Sequence, residues 1–496
     1  MQARVRLDAF GTAARAAIEA LARLLGPERH AWVVGGAVRD ALAGSGPGDL
    51  DIAVPSGAVA LARELADLLG AAFHVLDAER GAGRITGGGE HVWQGPQIDI
   101  ADFRAPDLIG DLRGRDFTVN ALAIAARPLV AAGEADVEDP TGGRADLQAR
   151  TVRLCALRSL EDDPVRVLRA ARFCAQPGWT LDPAIEGAAL RAAPDLSRAS
   201  RERVRDEILA MLADPASATG LRLLDSWGAL EVLLPERAVM KATAQSEPHR
   251  FDVWEHSLRA VEAADVVVSR VSELEPWGEA LAAHLGEPLG DGATRSEALK
   301  LAALLHDVAK PETRSVEAGR TRFLGHDALG ARRVIAIAGR LRLSGRMAGV
   351  LERLVRHHLR PMHLAQSGAV SRRALYRFFR DLGDDTRDLL LLALADAAAL
   401  RGDSPLAVWN GPAGTIVREL MAGHAEEAAA LSAPPLLDGR EAMEALELPP
   451  GPEIGRLLRL LREAQAVGAV ATREAALAYI RRMRDHPPLD TSEPSP

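Results

Sequence analysis

Two aspartates, Asp49 and Asp51, stand at positions i and i+2 in Gly48-Asp49-Leu50-Asp51-Ile52-Ala53, shortly after Trp32-Val33-Val34-Gly35-Gly36-Ala37-Val38-Arg39-Asp40. On a strand, residues two apart point to one face, with Cα atoms roughly 6–7 Å apart. Carboxylates so placed repel each other unless a cation lies between them. Mg2+ carrying a triphosphate suits that arrangement. Val33-Val34-Gly35-Gly36 reads as a strand ending in two residues that permit close backbone approach. The helix that follows aims its first amides back at Gly35 and Gly36, a cradle for phosphates. Two Mg2+ ions on Asp49 and Asp51 would activate an attacking hydroxyl and bridge a triphosphate. A solvated strand end is the plain alternative.

A second constellation occupies residues 249–400. His256 lies in Val253-Trp254-Glu255-His256-Ser257-Leu258, and His306-Asp307 in Leu304-Leu305-His306-Asp307-Val308-Ala309-Lys310. Gly325-His326, His357-His358 and Asp396 follow. All fall in segments of helical pattern or at their ends. A His-Asp pair inside an apolar helix is costly unless its charge is matched. Met alone, such a histidine reads as a satisfied core residue.

These residues need elements to hold them. The chain has 496 residues, enough for three or four domains, and 48% of them are hydrophobic. Only 4% are aromatic, and alanine is plentiful, which predicts a largely helical protein. Short strands are expected at Trp32–Val34, Leu50–Val54, Phe73–Leu76, Val92-Trp93 and Ile98–Phe103. Helices are expected over residues 12–25, 37–43 and 56–69, and nearly everywhere beyond residue 151. A helix from Ile454 to Val467 and another from Val470 to Arg481 close the folded part. The net charge of −9 argues against a uniformly basic surface but leaves room for a local basic track. Cys155 and Cys174 give neither a disulfide framework nor a zinc motif, which fits a reducing compartment. The apolar run at Leu389–Leu394 is too short to span a bilayer.

Further motifs follow the aspartate pair. They are Asp111-Leu112-Arg113-Gly114-Arg115-Asp116-Phe117-Thr118-Val119-Asn120, Asp139-Pro140-Thr141-Gly142-Gly143 with Asp146-Leu147, Asp162-Asp163-Pro164-Val165-Arg166-Val167-Leu168-Arg169-Ala170-Ala171-Arg172-Phe173, and Glu202-Arg203-Val204 with Glu207. In this order, over the first 210 residues or so, the chain resembles the class II tRNA nucleotidyltransferases: the CCA-adding enzymes and bacterial poly(A) polymerases of the polymerase-β-like superfamily. The resemblance implies that Asp49 and Asp51 bind metal, with Asp99 as a further, less regular acid. It implies nucleotide contacts by Gly35, Gly36, Arg39 and Asn120, and ribose contacts by Arg115 and Asp116. Asp163 and Arg166 would read the base edge, the carboxylate accepting from the exocyclic amine that cytosine and adenine share. Arg166, Arg169 and Arg172 recur at i, i+3 and i+6, and this stripe reads either as phosphate and RNA contact or as a solvated basic face. Arg198, Arg201, Arg203 and Arg205 read as a further basic group or as caps and surface pairs.

Three positions depart from the family pattern. Asp162 replaces the usual glutamate of the base-reading motif, and Gly114 stands where an arginine is usual. The segment between Phe103-Arg104 and Asp111 is short; in many CCA-adding members a longer loop there takes part in the switch from CTP to ATP. CC-only addition, A-only addition and poly(A) synthesis therefore stand beside full CCA addition.

His256, His306, Asp307 and Asp396 recur in the order of the HD phosphohydrolase superfamily. That resemblance implies a divalent metal on these four, either a transition metal or Mg2+. His326, His357 and His358 would complete a second metal site, bind a phosphoryl oxygen, or serve as helix-end structure. It also implies hydrolysis of phosphate esters, with repair of damaged tRNA ends as a coupled task; a chain that is mainly such a hydrolase, with an RNA-gripping head, is the alternative.

The expected fold class is α+β: a small polymerase-β-like head with a mixed sheet, then mainly helical neck, HD and C-terminal domains. The expected divisions are residues 1–148 (head), 149–245 (neck, base reading and RNA), 246–410 (HD), 411–485 (a helical region supporting tRNA) and 486–496 (a disordered tail). The expected partners are tRNA, CTP and ATP, in the cytoplasm and without a membrane.

Overall fold

The computed structural model describes residues 4–87, 92–317, 319–366 and 370–486, except for the side chains of 425–432. The chain forms two compact units, Met1–Pro235 and Glu236–Pro496. From residue 487 onward, the expected disordered tail lies outside the described residues. No described helix is long and apolar enough to cross a membrane.

The first unit contains helix α1 (Gly11–Leu24) and is built on a six-stranded mixed sheet. Its strands are β1 (Trp32–Val34), β2 (Asp49–Val54), β3 (Ala72–Asp77), β4 (Ala82–Thr86), β5 (Gln97–Asp102) and β6 (Ala123–Ala125), in the spatial order β3-β4-β5-β2-β1-β6. Only β2 and β5 run parallel; the other pairings are antiparallel. Strand alternation sorts the side chains. Leu50, Ile52 and Val54 of β2 join Ile98 and Ile100 of β5 in the core that α1 and helix α3 (Ala58–Leu69) cover. Asp49 and Asp51 therefore point to the opposite face.

Helix α2 (Gly36–Ala43) starts at the end of β1. Helices α4 (Leu108–Arg113) and α5 (Gly143–Ala149) flank the sheet, and α6 (Val165–Cys174) packs on α7 (Arg201–Ala213).

Two sequence expectations fail locally. Val92-Trp93 is not a strand: Val92 donates its amide to Gly70 O, and the Trp93 indole nitrogen donates to Pro96 O at 3.0 Å. Conversely, β4 was not expected. Its sequence, Ala-Gly-Arg-Ile-Thr, lacks regular apolar alternation and is a strand because β3 and β5 pair with it on both sides.

The second unit is mainly helical. Helices α8 (Val253–Ser269), α9 (Arg295–Leu305), α10 (His326–Arg340), α11 (Gly345–His357) and α12 (Thr386–Arg401) carry the second constellation. Two short antiparallel hairpins interrupt them, at Pro288–Thr294 and Arg314–Phe323. Helices α13 (Pro452–Ala466) and α14 (Arg473–Asp485) share a small core with Leu446, Leu457 and Ile480.

Candidate active sites

In the first unit, sheet register gathers the charges. Asp51 on β2 is paired with Asp99 on β5, and Asp99 with Arg84 on β4. Arg84 clamps Asp99 with two bonds, Nε to Oδ1 at 2.8 Å and Nη2 to Oδ2 at 2.7 Å. Both oxygens of Asp99 are thus engaged, whereas Asp49 and Asp51 have no such clamp among the described residues. Burial, with Asp99 adding to it, raises the carboxyl of Asp49 above its usual range. Burial raises Asp51 as well, and the neighbouring Asp99 and Asp49 add to this against Arg115. Two hard oxygen ligands short of positive charge fit Mg2+ chemistry.

Gly35 has φ +71°, and a Cβ there would lie 3.2 Å from Asp51 Oδ2 and 3.1 Å from Arg115 Nη1. Glycine is needed both for that backbone conformation and for the close approach. Arg39, one turn into α2, donates to Asn120 Oδ1 at 2.7 Å, and Asn120 donates to Asp116 Oδ1 at 3.2 Å. Burial works against the Asp116 charge. The Arg169 guanidinium at 2.8 Å, with the Phe117 amide and Asn120, overcomes it and holds the carboxyl below its usual range. Asp116 is thereby fixed as an anion.

Asp163 and Arg166 stand at the N-terminal end of α6. Arg166 Nη1 donates to Ser159 Oγ at 2.7 Å, and Nη2 donates to Gly114 O at 3.3 Å. Gly114, where the family pattern has arginine, thus offers its carbonyl to Arg166. Burial raises the Asp163 carboxyl, but a 2.6 Å bond from Arg203 outweighs it and keeps the group low. The basic stripe is not free. Arg169 and Arg172 both bond Glu207 of α7 at 2.9 Å, so these two guanidiniums brace α6 to α7. Sequence periodicity shows a shared face but not the acid that covers it. Arg84 and the Arg203–Asp163 bond were also missed, because both partners are remote in sequence.

The second unit gathers His256 (α8), His306 and Asp307 (after α9), His326 (α10), His358 (after α11) and Asp396 (α12). Ligand atoms of His256, His306 and Asp396 lie within 4.8 Å of one another, as do those of Asp307, His326 and His358. Three of the four imidazoles bond a backbone carbonyl through Nδ1: His306 to Ala303 O, His326 to Phe323 O and His358 to Val355 O, at 2.6–2.9 Å. That leaves their Nε2 lone pairs for a ligand. His326 and His358 set Nε2 against Nε2 at 3.2 Å, close enough to share a cation or a proton. The donor set fits a divalent metal. Burial disfavours the Asp307 charge, but His306 and Lys310, the latter at 2.6 Å, drive its carboxyl well down. Burial likewise opposes a charged His306, and Asp307 outweighs it, raising the imidazole to about 9.

His357 belongs to neither group. It precedes His358 on the helix, and consecutive helical side chains diverge by about 100°. Burial and Arg360 push it down to about 4. His249 was overlooked in the sequence; its ring lies edge-on to His256 at 5.3 Å. The signal was a histidine seven residues before His256, in the turn preceding α8.

Residues 31–153 match the family model of the poly A polymerase head domain, 178–240 that of the probable RNA and SrmB-binding site of polymerase A, and 253–400 that of the HD domain. The chain is 38% identical to an A-adding tRNA nucleotidyltransferase of Deinococcus radiodurans, over 92% of this chain and 96% of that protein. It is 36% identical to a CC-adding tRNA nucleotidyltransferase of Thermus thermophilus, over 91% and 93%. Among solved structures, a CCA-adding enzyme in complex with ATP aligns over 98% of this chain and all of that one, with a TM-score of 0.62 and 19% identity, a likeness of fold.

Proposed function

The chain belongs to the tRNA nucleotidyltransferase and poly(A) polymerase family, and on that premise we propose that it adds C and A nucleotides to the 3′ end of tRNA without a nucleic-acid template. The observation that carries this reading is the packing of Gly35 against both Asp51 and Arg115. It brings the phosphate-cradling turn next to the carboxylate pair and to Arg115, where a triphosphate and its cation would meet.

The tRNA 3′ oxygen forms the new bond to the α-phosphorus of CTP or ATP, and pyrophosphate leaves with the electrons of the broken P–O bond. Asp49 and Asp51 would hold Mg2+, which supplies charge neutralisation and an acidified 3′ hydroxyl. Gly35, Gly36 and Arg39 receive the phosphates. Arg115 and the anionic Asp116 orient the ribose. Asp163 accepts from the exocyclic amine of C or A, and Arg166 donates to the adjacent acceptor. Both are held by bonds to Arg203, Ser159 and Gly114, so they meet the base already oriented. Uracil and guanine carry a carbonyl oxygen, O4 or O6, where cytosine and adenine carry that amine. Asp99, clamped by Arg84, serves the site as a fixed neighbouring charge. On this reading residues 1–148 form the head, 149–245 the base-reading neck and 411–485 the part that supports tRNA, and the work is done in the cytoplasm.

Transcripts ending before CCA, after C and after CC, given CTP, ATP or both, test the proposal through their 3′-end sequences. Extension confined to C and A supports it; long A tails point to poly(A) synthesis, and no extension of any transcript overturns it. A single-step enzyme is the second reading. CC-only addition is favoured by the short stretch from Arg104 to Asp111, and the same assay separates it from A-only addition.

For residues 246–410 we propose a metal-dependent phosphohydrolase acting on phosphate esters such as those of damaged tRNA ends. His256, His306, Asp307 and Asp396 would hold one metal, and His326 and His358 would share Asp307 with a second. Metal content measured on the purified protein tests this. Bound divalent metal that is lost in His306→Ala supports it, and metal content unchanged by that substitution contradicts it.

A further inference from the structure

Helix α6 orders the first site from end to end. Asp163 and Arg166 stand at its N-terminal end, and Arg169 meets Asp116 one turn on. The Phe173 ring lies under the Arg39 guanidinium, 5.4 Å from it. At about 1.5 Å per residue, Gln176 is roughly 15 Å beyond Arg166. On the proposed reading, a nucleotide with its base at Asp163 and its phosphates at Arg39 would point its terminal phosphates toward the C-terminal end of α6.

A cavity of about 780 Å³ opens at that end. Arg39 forms one wall, and Arg144, Gln148, Arg150, Gln176 and Trp179 line the rest. Asp40 is the one carboxylate of its lining, and Arg39 already bonds it at 2.8 Å. The Arg144 side chain is half-buried and has no hydrogen-bond or ion-pair partner among the described residues. Arg150 uses Nη1 on Pro177 O at 3.1 Å, which leaves most of its fork of N–H donors. Three guanidiniums against one paired carboxylate, in a partly enclosed space, make a site for a polyanion.

We propose that this cavity holds inorganic pyrophosphate as it leaves, with Arg144 and Arg150 as its principal donors. The inference rests on the nucleotidyl-transfer reading. Arg39 is the shared wall: through Asn120 it is bonded to Asp116, so the exit is tied to the ribose site. An RNA phosphodiester offers the same oxygens, and the test separates the two sources.

The experiment uses the full chain and the variants Arg144→Ala, Arg150→Ala and the double substitution, with melting curves to establish that each folds. Pyrophosphate affinity is measured by calorimetry, inhibition and reversal of the reaction by added pyrophosphate, and tRNA affinity by filter binding. A charge-assisted hydrogen bond is worth about 1.5–3 kcal/mol, so the double variant should bind pyrophosphate at least about tenfold more weakly. Nucleotide KM and tRNA affinity should stay within about twofold. Unchanged pyrophosphate affinity overturns the proposal, and so does a loss confined to tRNA affinity, which assigns the cavity to RNA. Wild-type protein that extends no tRNA fails the underlying reading instead, whatever the variants do.

Discussion

The carboxylates of the two sites are electrostatic opposites. In the head, Asp49 and Asp51 are raised by burial and by neighbouring acids. In the second unit, the buried Asp307 and the part-buried Asp396 are both driven low by imidazoles, with Lys310 also acting on Asp307. The head sets Arg84 and Arg115 near Asp49 and Asp51, yet burial and the neighbouring carboxylates outweigh them.

The largest effect expected from breaking this contrast is in the head. Asp51→Ala or Asp49→Ala should lower incorporation by on the order of 10³-fold or more, the scale of losing preorganised electrostatic stabilisation, while circular dichroism and melting stay unchanged. Next comes the buried cluster, where the same kind of substitution should unsettle the fold. Asp307→Ala leaves the Lys310 ammonium buried without its carboxylate, and breaking such a pair costs on the order of 3–5 kcal/mol. Denaturant melts should register that loss together with the loss of bound metal, and a variant as stable as the wild type would contradict the internal charge balance.

Smaller effects sharpen the picture. Asp163→Ala should lower discrimination for C and A over U and G by roughly 10- to 100-fold, one or two hydrogen bonds' worth, read from misincorporation on tRNA ending before CCA. Asp99→Asn should have the smallest effect. Its oxygens belong to Arg84, so the Mg2+ concentration giving half-maximal incorporation should move by less than about threefold, the reach of a screened neighbouring charge. A large rise in that concentration would instead make Asp99 a ligand.

Sequence pattern revealed whatever depended on local order. The strand of Asp49 and Asp51 and the helix after Gly35-Gly36 followed from alternation and glycine placement. His256, His306, His326 and His358 were picked out by type and order, whereas His249 was not. What remained hidden was pairing at a distance. Glu207 covers Arg169 and Arg172, Arg203 holds Asp163, and Arg84 clamps Asp99; each partner is 15 or more residues away and carries no periodic signal. Strand β4 was missed for the same reason, since its neighbours make it a strand. His326 and His358 are brought together, and His357 set apart, by the end of one helix.

The central claim is that nucleotide addition belongs to Asp49 and Asp51 and not to the histidine cluster. Its most direct test is the extension of tRNA transcripts lacking CCA by wild-type, Asp51→Ala and His256→Ala proteins, with 3′ ends read by sequencing. The account predicts C and A addition by the wild type and by His256→Ala, and none by Asp51→Ala. Extension by Asp51→Ala at the wild-type rate would contradict it.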